Sequence, residues 1–331
     1  MARIGINPTR GKVTAYRPAR VTVAMLTYIP DLQGYFRHRL DVLKLALASL
    51  QAHTRTPHDL LVFDNGSCAP VVDFLREARD AGVVDYLLLS SRNLGKIGAF
   101  KVMFSAAPGE IIAYTDDDIL FYPGWLAAHL EVLQAFPKVG MVSGVAVRDR
   151  AARASQTLQG LMDNPAPDLS ITRQRRIPDD WEADWAVSVG RDPAEHLLAT
   201  QGEQEIVLQQ DGVEAFGTAS HFQFVAPKEV IRQALPPDWS GKLMGEMVEL
   251  DEAVDALGYL RLSTVGRYVR HLGNALSPQV VQDAEGMGLP VGAGLLPAVT
   301  RKHWLLRVPG AGRILRAVYD FIFRILYQGN L

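Results

Sequence analysis

Residues 110–118 read EIIAYTDDD, and the chain continues from 119 as ILFYPGWL. An apolar run closing on three consecutive acids predicts a buried strand with carboxylates at its end. Three carboxylates held there repel one another unless a cation or solvent relieves them. A solvated acidic loop is the bland alternative, and the apolar segments on both sides of Asp116, Asp117 and Asp118 weigh against it. A hard divalent cation such as Mg²⁺ or Mn²⁺ takes one or two carboxylates and completes its shell from water and phosphate oxygens.

Working outward, strands alternate with helices. RVTVAMLT (20–27) reads as a first strand, and a helix follows over 39–53 with Leu40, Leu43, Leu47 and Leu50 on one stripe. DLLVFDNGS (59–67) is a strand ending in turn chemistry. A helix at 70–81, a strand at 84–91, the loop RNLGKIGA (92–99) and a helix near 98–107 lead to the acidic strand. A helix near 123–136 and the strand VGMVSGVAV (139–147) complete this half. The alternation predicts an α/β fold with a mostly parallel central sheet flanked by helices. In such sheets ligands bind at the carboxyl ends of the strands. Asp64-Asn65, Arg92-Asn93 and Asp116-Asp117-Asp118 would converge on that rim.

Beyond 150 the pattern changes. Residues 150–210 are polar and include NPAPD and RQRRIPDDWEADW, which predicts an irregular insertion or lid with short helices. Strand and turn are expected over 213–227, a helix over 248–257 ended by Gly258, and a strand near 259–264.

Asp64 closes the second strand, where an acid can accept hydrogen bonds from a ribose or a base; Asp-Asn-Gly is equally good turn chemistry. No GxGxxG follows the first strand and no GxxxxGK[ST] occurs anywhere, so the common phosphate loops are absent and a metal is expected to hold phosphate. His271, in YVRHLGN, can complete a metal shell beside a carboxylate, although a lone histidine is more often a hydrogen-bonded core or surface residue.

The net charge of −2 argues against a dedicated nucleic-acid binder. Residues 21–300 carry 23 basic and 35 acidic side chains between two basic ends. The single cysteine, Cys68, excludes an intrachain disulfide and suits a reducing compartment. The first twenty residues lack an apolar stretch, so no secretory signal is expected and a cytoplasmic location is.

The ordered set VTVAMLTY, LLVFDNGS, NLGKIGAFK, IIAYTDDDI and a later ELDE followed by Gly258-Tyr259 resembles the family 2 glycosyltransferases over roughly residues 20–275. The resemblance implies a GT-A-type, Rossmann-like fold and sugar transfer, with inversion, from a nucleotide-diphosphate donor to an acceptor hydroxyl. Thr27, Tyr28 and Asp64 would cradle the nucleoside. Arg92, Asn93 and Lys96 would line the nucleotide loop, and Asp116 and Asp117 would approach the donor. Asp118, with Asp116 and His271, would hold Mn²⁺ or Mg²⁺. Asp251 matches the position of the base, but the family's usual Glu-Asp pair reads Glu249-Leu250-Asp251-Glu252 here, so three acids share that assignment. His221 and Trp239 would flank the acceptor, a glycan, lipid-linked sugar or small molecule. A sugar-nucleotide pyrophosphorylase and a catalytically inert scaffold are the rival readings.

Four regions result: a basic extension (1–19), a nucleotide-sugar half (20–148), an insertion and acceptor half (149–275) and a C-terminal helical tail (276–331). In the tail, RILRAVYDFIFRILYQ (313–328) places Arg313, Arg316, Asp320 and Arg324 on one stripe of an amphipathic helix. Sixteen residues reach about 24 Å, short of a membrane span. Packing on the body, pairing with another chain, and lying on the inner face of a membrane through residues 301–331 all satisfy its broad apolar side.

Overall fold

The computed structural model describes residues 16–148, 155–237 and 245–291, with 317, 318 and 321. Residues 1–294 form one compact unit and 295–331 a second. Of the amphipathic tail only Ala317, Val318 and Phe321 are described, as helical and exposed; the rest of that expectation, and Trp239, lie outside the described residues. Among the described residues no helix is long and apolar enough to cross a membrane.

The first strand, β1 (Val21–Thr27), is buried along its whole length. Its alternation explains why the sheet needs helices on both faces. Val21, Val23 and Met25 join one core with Leu43, Leu47 and Leu50 of α1 (Arg39–His53) and Val71 and Leu75 of α2 (Ala69–Asp80). Ala24 and Leu26 join another with Phe100, Met103 and Phe104 of α3 (Gly95–Ala106). A strand with both faces covered reads as a continuous apolar run rather than an alternating one.

β2 (His58–Asp64), β3 (Tyr86–Leu89) and β4 (Ile111–Asp116) are parallel to β1 in the order β3-β2-β1-β4. This is the parallel sheet expected from the sequence. Beyond β4 the sheet continues differently. β10 (Gln223–Pro227) enters antiparallel between β4 and β6 (Val139–Ser143), and β11 (Leu260–Thr264) runs parallel to β6. Residues 150–210, expected to be irregular, contribute β7 (Ser170–Gln174) and β8 (Glu205–Gln210). With β9 (Val213–Phe216) these strands form an antiparallel ribbon that extends the same sheet from β11. Parallel pairing is therefore a property of the first half and of β6–β11. A separate two-stranded ladder joins β5 (Ile119–Phe121) to β12 (Val269–His271), with His271 opposite Ile119.

The remaining helices cover the sheet or support the ribbon. Val132 of α4 (Trp125–Ala135) and Leu158 of α5 (Gln156–Asp163) pack with Leu208 and Leu262. Ile231 of α8 (Lys228–Ala234) and Leu250 and Val254 of α9 (Gly245–Ala256) pack on the α3 side. Val280 and Val281 of α10 (Pro278–Gly286) pack with Leu272 and Leu276. The ribbon is tied down by charge as well. Arg148, 2% exposed, donates from Nε to Glu205 at 2.8 Å and from Nη1 to Asp179 at 2.7 Å, while its backbone N–H meets Glu182 at 3.1 Å. Glu182, on α6 (Asp179–Ser188), also binds His196 of α7 (Pro193–Ala199) at 2.6 Å.

Removing the cation of a buried ion pair leaves its carboxylate partner, here Glu205 at 3% exposed, without a counter-charge. Arg148→Ala is expected to lower the unfolding free energy by about 3–5 kcal/mol in urea titration, whereas an exposed control such as Arg76→Ala changes it by less than about 0.5 kcal/mol.

Candidate active site

The period of two in β4 separates the acids. Ile112 and Tyr114 face the α3 side, and Ile111 and Ala113 face the α1 side. Consecutive carboxylates at the strand end consequently find different partners. Asp116, on the α3 side, pairs with Lys96 in the first turn of α3 (Nζ to Oδ1 2.7 Å) and accepts from the Tyr114 hydroxyl. Burial, then the Asp116 charge, pushes the Tyr114 phenol well up, which keeps it a donor. Lys96 and Asp116 remain about a quarter exposed, so this pair lines the open rim.

Asp117 turns to the α1 side. It is 4% exposed, accepts from the Thr27 hydroxyl and binds the Arg39 guanidinium. Arg39 is the first residue of α1 and is itself 7% exposed. It donates also to Asp118 Oδ2 at 2.7 Å and to the Gly273 carbonyl at 2.9 Å. One buried cation thereby joins α1, the end of β4 and the corner after β12. Burial pushes the Asp117 carboxyl up to about 6, against the pull of Arg39. Burial also opposes ionisation of Asp118, but the protonated form of His271 and the Arg39 guanidinium prevail and hold it below the usual carboxylate range.

His271 reaches Asp118 through the β5–β12 ladder. The Leu272 N–H donates to the Asp118 carbonyl at 2.7 Å, and His271 Nε2 lies 3.6 Å from Asp118 Oδ2. The other carboxylate oxygen of Asp118, Oδ1, is buried with no hydrogen-bond partner. Leaving a buried carboxylate oxygen unsatisfied is costly, and a hard cation satisfies it. Among the described residues no group of three or more His, Cys, Asp or Glu is arranged to hold a metal. Asp118 with His271 is a two-ligand set, which fits a cation that draws its other ligands from phosphate and water. Asp116, the further ligand expected from the sequence, pairs with Lys96 at the open rim.

The nucleotide-loop residues are held by a compact network. Asp64, 1% exposed, accepts the Gly66 and Ser67 N–H groups at 3.3 and 3.2 Å. Asn65 donates to Asn93 Oδ1 at 2.9 Å and accepts the Leu94 N–H at 2.8 Å. Gly66 has φ +93°, and a Cβ there would lie 2.9 Å from the Arg92 carbonyl carbon. The 64–67 turn and the 92–95 loop are thus packed backbone to backbone. Arg92 and Asn93 are exposed, and Tyr28 is half-buried.

The second-half acids lie in three different environments. Asp251 falls on the apolar face of α9 with Met247, Leu250 and Val254 and is 1% exposed. It binds His221 Nδ1 at 2.9 Å and Arg261 at 2.7 Å. Glu249 is half-buried and Glu252 exposed. His221 precedes Phe222, whose carbonyl accepts the Asp116 N–H at 2.9 Å and whose ring lies 5.1 Å from that of His271. The Asp251–His221 pair is therefore linked through the chain to the acidic rim.

Arg39, Ser188 and Gly273 were not singled out in the sequence. Arg39 heads an apolar helix, where an arginine ordinarily signals solvent, so nothing local marks it. For Asp251 a signal existed: its spacing from Met247 and Val254 places it on the buried stripe. Arg39→Met is expected to lower the melting temperature by more than 5 °C, because Asp117 and Asp118 lose the cation between them.

Residues 35–189 match the family described as glycosyl transferase family 2. Over 107 residues the chain is 28% identical to an uncharacterized glycosyltransferase of Nostoc sp., a match covering 32% of this chain and 33% of that protein. The chain thus spans about a third of the length of this curated relative. Among solved structures, a mannosyltransferase from Pyrobaculum calidifontis in complex with GDP-Man and Mn²⁺ is 18% identical with a TM-score of 0.44, over 91% of this chain and 61% of that one. GalNAc-T7 with UDP, GalNAc and Mn²⁺ is 14% identical with a TM-score of 0.45, over 78% of this chain and 44% of that one.

Proposed function

We propose that this chain, a GT-A-fold member of the family-2-like glycosyltransferase superfamily, transfers a glycosyl group from a nucleoside-diphosphate sugar to an acceptor hydroxyl. The observation that carries the reading is the convergence of Thr27, Arg39, Asp117, Asp118 and His271 at the carboxyl end of the parallel strands, beside the open Lys96–Asp116 pair. This is where an α/β sheet binds its ligand.

In this reading the 64–67 turn and the 92–95 loop form the nucleoside wall, and Lys96 supplies positive charge at the phosphates. Asp118 and His271 would hold a Mn²⁺ or Mg²⁺ ion. When bound, that ion neutralises negative charge on the diphosphate leaving group. The acceptor hydroxyl loses its proton as it attacks the anomeric carbon, so a carboxylate in reach serves as general base. A single displacement assisted by that base inverts the anomeric configuration. The base comes from Glu249, Asp251 or Glu252. Asp251 also anchors α9 through Arg261, so its loss has a structural component that the other two lack.

The donor half of the reading is tested by thermal melting against UDP, GDP, dTDP and CDP, each with and without Mn²⁺. Saturation at 100 times the dissociation constant adds about 2.7 kcal/mol. One nucleotide is expected to raise the melting temperature only with metal, and Asp118→Ala is expected to abolish the rise. No rise with any nucleotide would favour an inert scaffold.

The base is tested by Glu249→Gln, Asp251→Asn and Glu252→Gln. The amide variant of the base is expected to lose at least 100-fold in kcat with donor KM unchanged. Asp251→Asn is also expected to lower the melting temperature, because it leaves Arg261 buried without its ion pair. If all three retain wild-type kcat, the base lies outside this stretch.

A further inference from the structure

His271 has its two ring nitrogens in different company. Nε2 faces the Asp118 carboxylate at 3.6 Å, beyond hydrogen-bond reach. Nδ1 lies 2.9 Å from the hydroxyl oxygen of Ser188, at the C-terminal end of α6. That hydroxyl is also 2.7 Å from the Trp185 carbonyl, one turn back in the same helix. A carbonyl oxygen can only accept, and a serine hydroxyl has one hydrogen. The Ser188 hydrogen is therefore directed to Trp185. What Ser188 offers His271 is a lone pair, and Nδ1 must carry the proton that meets it. In the neutral ring Nε2 is then the bare nitrogen, turned toward Asp118.

The backbone enforces the contact. Gly273 has φ +71°, and a Cβ built there would lie 2.6 Å from the Ser188 carbonyl oxygen. Only a glycine lets the end of α6 press this closely on the corner after β12. The Gly273 carbonyl is in turn held at 2.9 Å by Arg39, the guanidinium that also holds Asp118 at 2.7 Å.

We propose that Ser188 is a positioning residue that holds His271 in its Nδ1–H form, keeping the Nε2 lone pair directed at the Asp118 group for a divalent cation. The assignment of a cation to that group rests on the function proposed above; the tautomer does not. It also gives the 150–210 region a task at the active site: α6 sets the chemistry of a residue some 80 positions later in the chain.

The direct test is ¹⁵N NMR of the histidine rings in the metal-free protein at about pH 8, above the ordinary imidazole pKa of about 6.5. The chain has eight histidines, so the His271 signals are assigned as those missing in His271→Asn. The expected wild-type spectrum shows a protonated Nδ1 and a bare Nε2. Ser188→Ala should shift the ring toward the Nε2–H form or a mixture, and Ser188→Thr, which keeps the hydroxyl, should restore the wild-type pattern. Mn²⁺ titrated alone should broaden the His271 signals in the wild type and require at least about tenfold more metal in Ser188→Ala, the usual size of a lost orienting partner. A wild-type ring protonated on Nε2, or a Ser188→Ala spectrum identical to wild type, overturns the proposal. An Nδ1–H ring that responds to Ser188→Ala but not to Mn²⁺ upholds Ser188 as the tautomer-setting residue and removes the cation from the account.

Discussion

A guanidinium sealed between two carboxylates and a backbone carbonyl is the constraint around which this site is organised. Arg39 opens α1, and its partners come from the end of β4 and from the corner after β12. A buried charge without partners costs several kcal/mol, so these elements must close together for any of them to close. Asp117 in turn draws in Thr27 at the end of β1. The rim of the sheet is thus built as one electrostatic unit rather than as separate loops. Asp116 and its partner Lys96 stand outside that unit, more exposed, where a ligand can compete for them.

The alternation of a β-strand divides the labour among three adjacent acids. Asp116 is directed to the α3 side and Asp117 to the α1 side, while Asp118 meets the β5–β12 ladder. Mutual repulsion is relieved because Lys96 pairs with Asp116 while Arg39 bridges Asp117 and Asp118. One oxygen, Asp118 Oδ1, is left over. That residual acceptor beside an imidazole is the observation on which the proposed cation site rests.

Much of the first half was legible in the sequence because its physics is local. The continuous apolar run of 21–27 announces a strand covered on both faces, and the leucine spacing of 40–50 announces α1. The turn chemistry of Asp64-Asn65-Gly66 marks the end of β2, where the buried Asp64 indeed caps its own turn. The second half was less legible because its order is tertiary. β10 slips antiparallel between β4 and β6, and nothing in Gln223–Pro227 specifies the direction of its neighbours. The polar stretch 150–210 hides a ribbon whose edge strand β7 is largely exposed and so lacks an apolar signature. Arg39, Ser188 and Gly273 matter through partners distant in the chain, and a lone arginine, serine or glycine carries no mark of that.

In the proposed reaction this rim binds a nucleoside-diphosphate sugar and releases the nucleoside diphosphate as its sugar departs. This reaction is tested most directly by incubating the protein with a panel of nucleoside-diphosphate sugars and Mn²⁺ and following the products by ³¹P NMR. The account predicts that one donor yields its nucleoside diphosphate, and that Asp118→Ala suppresses this release. Formation of pyrophosphate from a nucleoside triphosphate and a sugar 1-phosphate, with no nucleoside diphosphate released from any donor, would contradict it.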